Sequence, residues 1–90
     1  MVNIYNSYED KNVKEVYEIV FVGDRDLYWT GDGISSTEYA AIRYKNKQVA
    51  IDIAKKLKEI YELQWGKTTT MVVATIDVVE NLYVREEEVK

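Results

Sequence analysis

Residues 46–66 read NKQVAIDIAKKLKEIYELQWG and residues 70–80 read TMVVATIDVVE, and the change of period between them decides the fold. In the first stretch Val49, Ala50, Ile53, Ala54, Leu57, Ile60 and Tyr61 recur at three- and four-residue spacing, which gathers them into one stripe of a helix. Asn46 supplies an N-cap and Gly66 a left-handed stop. In the second stretch Val72, Ala74, Ile76 and Val78 alternate with Met71, Val73, Thr75, Asp77 and Val79, the period of a strand that is largely apolar on both faces. A helix with a single apolar stripe buries it by packing on the sheet that contains this strand.

Working outward, residues 15–23 (EVYEIVFVG) are rich in β-branched and aromatic types, with Tyr17, Ile19 and Phe21 on one side and Val16, Val20 and Val22 on the other. Such a strand belongs at the centre of a sheet. Residues 23–26 (GDRD) carry turn chemistry, so 27–30 (LYWT) returns antiparallel as a hairpin, and the Gly31-Asp32-Gly33 run ends it. Residues 37–44 (TEYAAIRY) read as a third strand, with Ala40, Ile42 and Tyr44 sharing a face, although 38–41 would also tolerate a helical turn. The charged stretch 85–90 reads as a frayed tail, and 1–14 as an irregular segment.

The expectation is one α+β domain over 1–90 with the order β-β-β-α-β. A four-stranded, mostly antiparallel sheet carries one helix on one face. A right-handed crossover through the helix would set the last strand beside the first and parallel to it, in spatial order 3-2-1-4. One helix covers one face, so the opposite face is expected to lie open to the segment containing Ile4, Tyr5 and Tyr8, or to a partner.

The composition, 47% apolar and 31% charged, is that of a folded domain rather than a disordered chain. There is no cysteine, which excludes disulfides and thiolate metal sites and suits a reducing cytoplasm. Neither a signal peptide nor a membrane span is expected, because the longest apolar run is short. Charge is segregated: 1–38 holds eight acids and three bases, 43–67 seven bases and three acids, and 77–90 five acids and two bases.

Histidine is absent, so Ser-His and Cys-His nucleophiles are excluded, and acid-base work would fall to carboxylates, lysines or tyrosines. No enzyme and no cofactor is expected. Asp24, Asp26 and Asp32 do not follow an EF-hand spacing and read as turn formers, not metal ligands. Gly31-Asp32-Gly33 lacks the third glycine of a phosphate cradle. Arg43, Lys45, Lys47, Lys55, Lys56 and Lys58 make a basic segment that would serve nucleic acid, but Asp52, Glu59 and Glu62 interrupt it and the chain is acidic overall, which disfavours that reading.

Eight tyrosines and two tryptophans in 90 residues exceed what one small core can bury with every hydroxyl satisfied, so some must lie at the surface. Such residues dominate interface hot spots. Tyr28, Trp29 and Tyr39 around Asp32 are therefore expected to form a contact patch, with Glu86, Glu87 and Glu88 as an acidic adjunct.

The run LYWTGDGIS at 27–35, then AIRY at 41–44 and a helix through 47–57, resembles small early proteins of phages that infect Gram-positive bacteria. The resemblance spans about residues 15–79. It implies a binding protein that inhibits or modulates a bacterial host defence protein by direct contact, as anti-CRISPR proteins do when they occupy a nuclease's DNA-binding surface. It assigns no individual residue. A homodimeric accessory factor, paired through the open sheet face, is the reading from a different class.

Overall fold

A computed structural model describes residues 14–65 and 70–90 of the chain. The expectations placed on 1–13 and on the Gly66 stop lie outside these residues. The described elements are β1 (Glu15–Val22), β2 (Leu27–Trp29), β3 (Ile34–Ser35), a 3-10 turn (Glu38–Ala40), α1 (Lys47–Trp65), β4 (Thr70–Asp77) and β5 (Leu82–Glu88). They form an α+β fold, with one helix packed on a five-stranded sheet of order β3-β2-β1-β4-β5 in which every pairing is antiparallel.

The central pair is β1 and β4, matched over eight positions from Glu15 opposite Asp77 to Val22 opposite Thr70. Alternation sends Ile19 and Phe21 to one face together with their partners Val73 and Met71. These four, each at 1% exposure or less, meet Ala50, Ala54 and Leu57 of α1. Burying each large apolar side chain contributes about 1.5–3 kcal/mol. Ala50 and Ala54 sit one turn apart and let the helix backbone come close to the sheet. The helix then closes over Phe21 with Tyr61, whose ring meets it edge-on at 5.4 Å. Asn46 caps the first turn as expected, its Oδ1 accepting the Val49 N–H at 3.1 Å. Val49 and Ile60, placed in the apolar stripe by their spacing, lie on its flank and are about half exposed.

The chain departs from the expected path after β2. Residues 37–44 are not a strand: 38–40 make a 3-10 turn, and the third strand is the two-residue Ile34–Ser35. Gly31, at φ +102, permits the turn into it, where a Cβ would also crowd Ile42 Cδ1 at 3.3 Å. Residues 41–44 then come back beside β1, occupying the place that β2 leaves after Trp29. Ile42 N–H bonds to Trp29 O at 3.0 Å, and Tyr17 and Tyr44 exchange two backbone hydrogen bonds of 2.8 Å. This extra pass brings the chain to the start of β1 before the helix begins. Nineteen helical residues, roughly 28 Å, then run the length of the eight-residue strand, roughly 27 Å. The chain therefore emerges at the far end of β1 and β4 must run back antiparallel to it, where a parallel crossover was expected.

The fourth strand stops at Asp77, short of the expected Glu80. Asp77 Oδ1 accepts the N–H groups of Val79 and Glu80 at 2.8 and 3.2 Å, and Asn81 takes a left-handed φ of 57°, so the chain turns into a hairpin. The expected frayed tail is consequently most of a fifth strand. Its end is pinned, because Val89 is 4% exposed in the helix-side core, donates its N–H to Met71 O at 2.8 Å and accepts Lys58 Nζ at 3.0 Å. On the face opposite α1, Val16, Val20, Ala74 and Ile76 are each at 2% exposure or less, and the expected cover by the segment containing Ile4, Tyr5 and Tyr8 lies outside the described residues.

If Val89 anchors β5, Val89→Ala lowers the unfolding free energy by about 1–3 kcal/mol, measured by urea denaturation. Removal of Lys90 alone leaves it unchanged.

Candidate functional site

Alternation along β1 places Glu18 between Val16 and Val20, on the face opposite α1, at 0% exposure. An ionised carboxylate there needs compensation. It comes from Arg43, whose direction follows from its neighbour. Tyr44 pairs with Tyr17 and turns its ring to the helix side, where its hydroxyl accepts the Trp29 indole N–H at 3.1 Å. The preceding side chain therefore points the other way, and Arg43 Nε reaches Glu18 Oε2 at 2.8 Å. Its Nη2 donates to Glu38 Oε2 at 3.2 Å, from the 3-10 turn. Tyr83 of β5 adds its hydroxyl at 3.4 Å from Glu18 Oε1 and is hydrogen-bonded to Tyr28 of β2.

Burial pushes the Glu18 carboxyl up to about 8, helped by a hydrogen bond from and the like charge of Glu38, and opposed by Arg43. Glu18 is thus largely protonated at neutral pH while it remains beside the Arg43 guanidinium. The Tyr83 hydroxyl is pushed upward by burial and then by the Glu18 charge, and that of Tyr28 by burial and Asp26. Both stay protonated donors. Beside this group lies a cavity of about 60 Å³ lined by Glu38, Arg43, Ile76, Asn81 and Tyr83. It has room for water and lies well below the roughly 300 Å³ of ordinary ligand pockets.

Next to the cavity runs β5, exposed at every position and, among the described residues, paired on one side only. Leu82, Tyr83 and Val84 are 58, 51 and 47% exposed, and Val79 in the preceding turn is 80% exposed. A bulge at the Thr75/Ile76 step leaves Val84 without a partner in β4. Beyond it, Arg85 lies 3.8 Å from Glu15 and Glu87 is ion-paired with Lys47.

The residues expected to form one contact patch do not all share a face. Tyr28 packs on the face of Val20, while Trp29, next in the strand, packs into the helix-side core. Asp32 accepts the Thr30 hydroxyl at 2.9 Å within its turn. Tyr39 is 80% exposed on the 3-10 turn, and Glu86, Glu87 and Glu88 lie along β5. The basic segment is split as well: Arg43 turns inward, Lys47 and Lys58 hold the end of β5, and Lys45, Lys55 and Lys56 remain exposed. Glu18, Glu38 and Tyr83 were not foreseen as a group. The signal for Glu18 was its own position, an acid facing the same way as three valines.

Among the described residues no group of acidic side chains is arranged to hold a metal, and no helix is long and apolar enough to cross a membrane. Comparison with protein-family models, curated proteins and solved structures finds no match.

The raised Glu18 carboxyl makes stability fall with pH. Below about 4.5 the carboxyl is protonated in both states and its contribution is fully present; between there and about 8 only the unfolded chain ionises, so the contribution is lost progressively. The expected loss is roughly 2–5 kcal/mol. Urea denaturation from pH 4 to 9 tests this, and Glu18→Gln should show the flatter profile.

Proposed function

We propose that this protein works by binding another protein through direct contact, without catalysis, and that its partner is a host protein which it inhibits or modulates. The observation that carries the binding reading is β5, a seven-residue edge strand exposed at every position and flanked by the exposed side chains of Val79, Leu82 and Tyr83. Contiguous apolar surface at an unpaired sheet edge is what interaction sites present and what unpartnered proteins suppress. The size of the only perturbed carboxyl site among the described residues argues in the same direction. Glu18 has the raised acidity of a catalytic group, but its cavity of about 60 Å³ admits no ordinary substrate. The host as partner class rests on the likeness to small early phage proteins.

Neither alternative keeps its support. Pairing of two copies through an open sheet face requires apolar residues there to be exposed, and those of β1 and β4 are buried. Nucleic-acid binding requires a continuous basic surface, and the basic segment faces in several directions.

The test is retention from a bacterial host lysate on the immobilised chain, with Val79→Lys/Leu82→Lys as the control. These exposed positions tolerate charge, so the thermal midpoint is expected to hold while retention of one stoichiometric protein is lost. Equal retention by both chains, or none by the native chain, overturns the reading.

A further inference from the structure

The outer edge of β5 has a readable pattern of backbone and charge. Val89 donates its N–H to Met71 O, and Glu88 lies opposite Val72. In an antiparallel ladder this makes 88 and 72 a non-hydrogen-bonded pair, so residues 85 and 87 spend their backbone groups on β4 while Glu86 and Glu88 turn theirs outward. Among the described residues nothing pairs with that edge. Alternation also places the side chains of Glu86 and Glu88 on one face, opposite Ala74 and Val72, the face that Tyr83 shares. Glu87 and Arg85 point to the other face and have ion-pair partners there; among the described residues Glu86 and Glu88 have none. The strand thus offers two outward backbone sites, two uncompensated acids beside them, and an apolar stretch at 82–84.

We infer that β5 is a docking edge for an extended, basic segment of a partner protein, which adds to the sheet as a sixth, antiparallel strand. This rests on the protein-binding reading above and names the chemistry of its partner. Main-chain hydrogen bonds to Glu86 and Glu88 hold the segment, and side chains select it. Running antiparallel, the segment meets Glu88 first, then Glu86, then the apolar stretch. It therefore carries Lys or Arg at two alternate positions, followed by β-branched or aromatic residues. Pairing with a second copy of this chain opposes like charges where the two-fold axis passes at Arg85 or Glu87, which destabilises those registers, whereas a basic strand meets complementary charge at both Glu86 and Glu88. The other edge, β3, has two residues and is too short to compete.

The probe is the heptapeptide Lys-Thr-Lys-Thr-Val-Tyr-Val, titrated into the native chain by fluorescence anisotropy and by amide chemical-shift mapping. Saturable binding with shifts centred on 82–88 is expected. Three controls define the mode. Glu86→Lys/Glu88→Lys weakens binding at least about tenfold, and the peptide Glu-Thr-Glu-Thr-Val-Tyr-Val restores it. Glu86→Pro, which removes an outward N–H and none of the bonds to β4, abolishes it. Because proline at 86 can also disturb the strand, the charge-swapped pair carries the decision. No binding by the native chain, shifts elsewhere, or equal affinity for the charge-reversed variant overturns the inference. So does a concentration-dependent dimer in sedimentation that Glu86→Pro dissolves, since the occupant would then be a second copy. A lysate protein retained equally by native and charge-reversed chains keeps the binding function and removes this edge. Peptide binding with nothing retained from lysate keeps the edge and removes the host partner.

Discussion

Two backbone hydrogen bonds of 2.8 Å between Tyr17 and Tyr44 hold residues 41–44 beside the start of the central strand. That short pass reverses the direction in which the chain enters the helix. With α1 starting where β1 starts, the helix ends where β1 ends, and β4 descends antiparallel over all eight positions of its neighbour. Had the chain entered the helix directly from β3, the opposite polarity would follow. A single bridge of two residues thus sets the sense of the longest pairing in the sheet.

The same bridge builds the polar group on the far face. Neighbouring residues in an extended chain point to opposite sides, so fixing Tyr44 over the helix side delivers Arg43 to Glu18. A buried acid paired with arginine is costly to assemble, and the desolvation of both ions offsets much of their attraction. Here a second carboxyl, Glu38, takes up the guanidinium as well, and the raised Glu18 carboxyl, protonated at neutral pH, removes one charge from the interior. The group links the 3-10 turn and the 41–44 pass to β1, and through Tyr83 and Tyr28 it reaches from one side of the sheet to the other. Its stabilising share is greatest at low pH, which ties the assembly of this face to protonation.

Cover on the sheet is distributed unevenly, and that asymmetry shapes the surface. The helix sits over β1 and β4, while Lys47 and Lys58 reach sideways to fasten β5 at Glu87 and at Val89 O. The strand is therefore held firmly at its inner edge and at its end, and among the described residues nothing pairs along its outer edge. Charged side chains and a bulge are also the means by which sheets discourage unwanted pairing. The acids that oppose one another in a self-pairing centred on Glu87 also favour a basic strand, so discouragement of self-pairing and recognition draw on the same residues.

From the sequence alone the helix, its Asn46 cap, the central strand and the strand that follows the helix were legible, because each is announced by local period or local turn chemistry. So was the flanking of the first strand by the 27–29 strand on one side and the strand after the helix on the other. The fifth strand was hidden by its composition: Arg85 and three glutamates resemble a solvated tail until Val89 is seen to be anchored and Asp77 and Asn81 are seen to close a hairpin. The polarity of β4 and the union of Glu18, Arg43 and Glu38 could not be read, since both depend on a contact between residues 27 positions apart in the chain. Sequence pattern reports which face a side chain takes within its own element. Which elements meet, and in which direction, is decided by long-range backbone pairing, whose energy appears only when the chain has closed on itself.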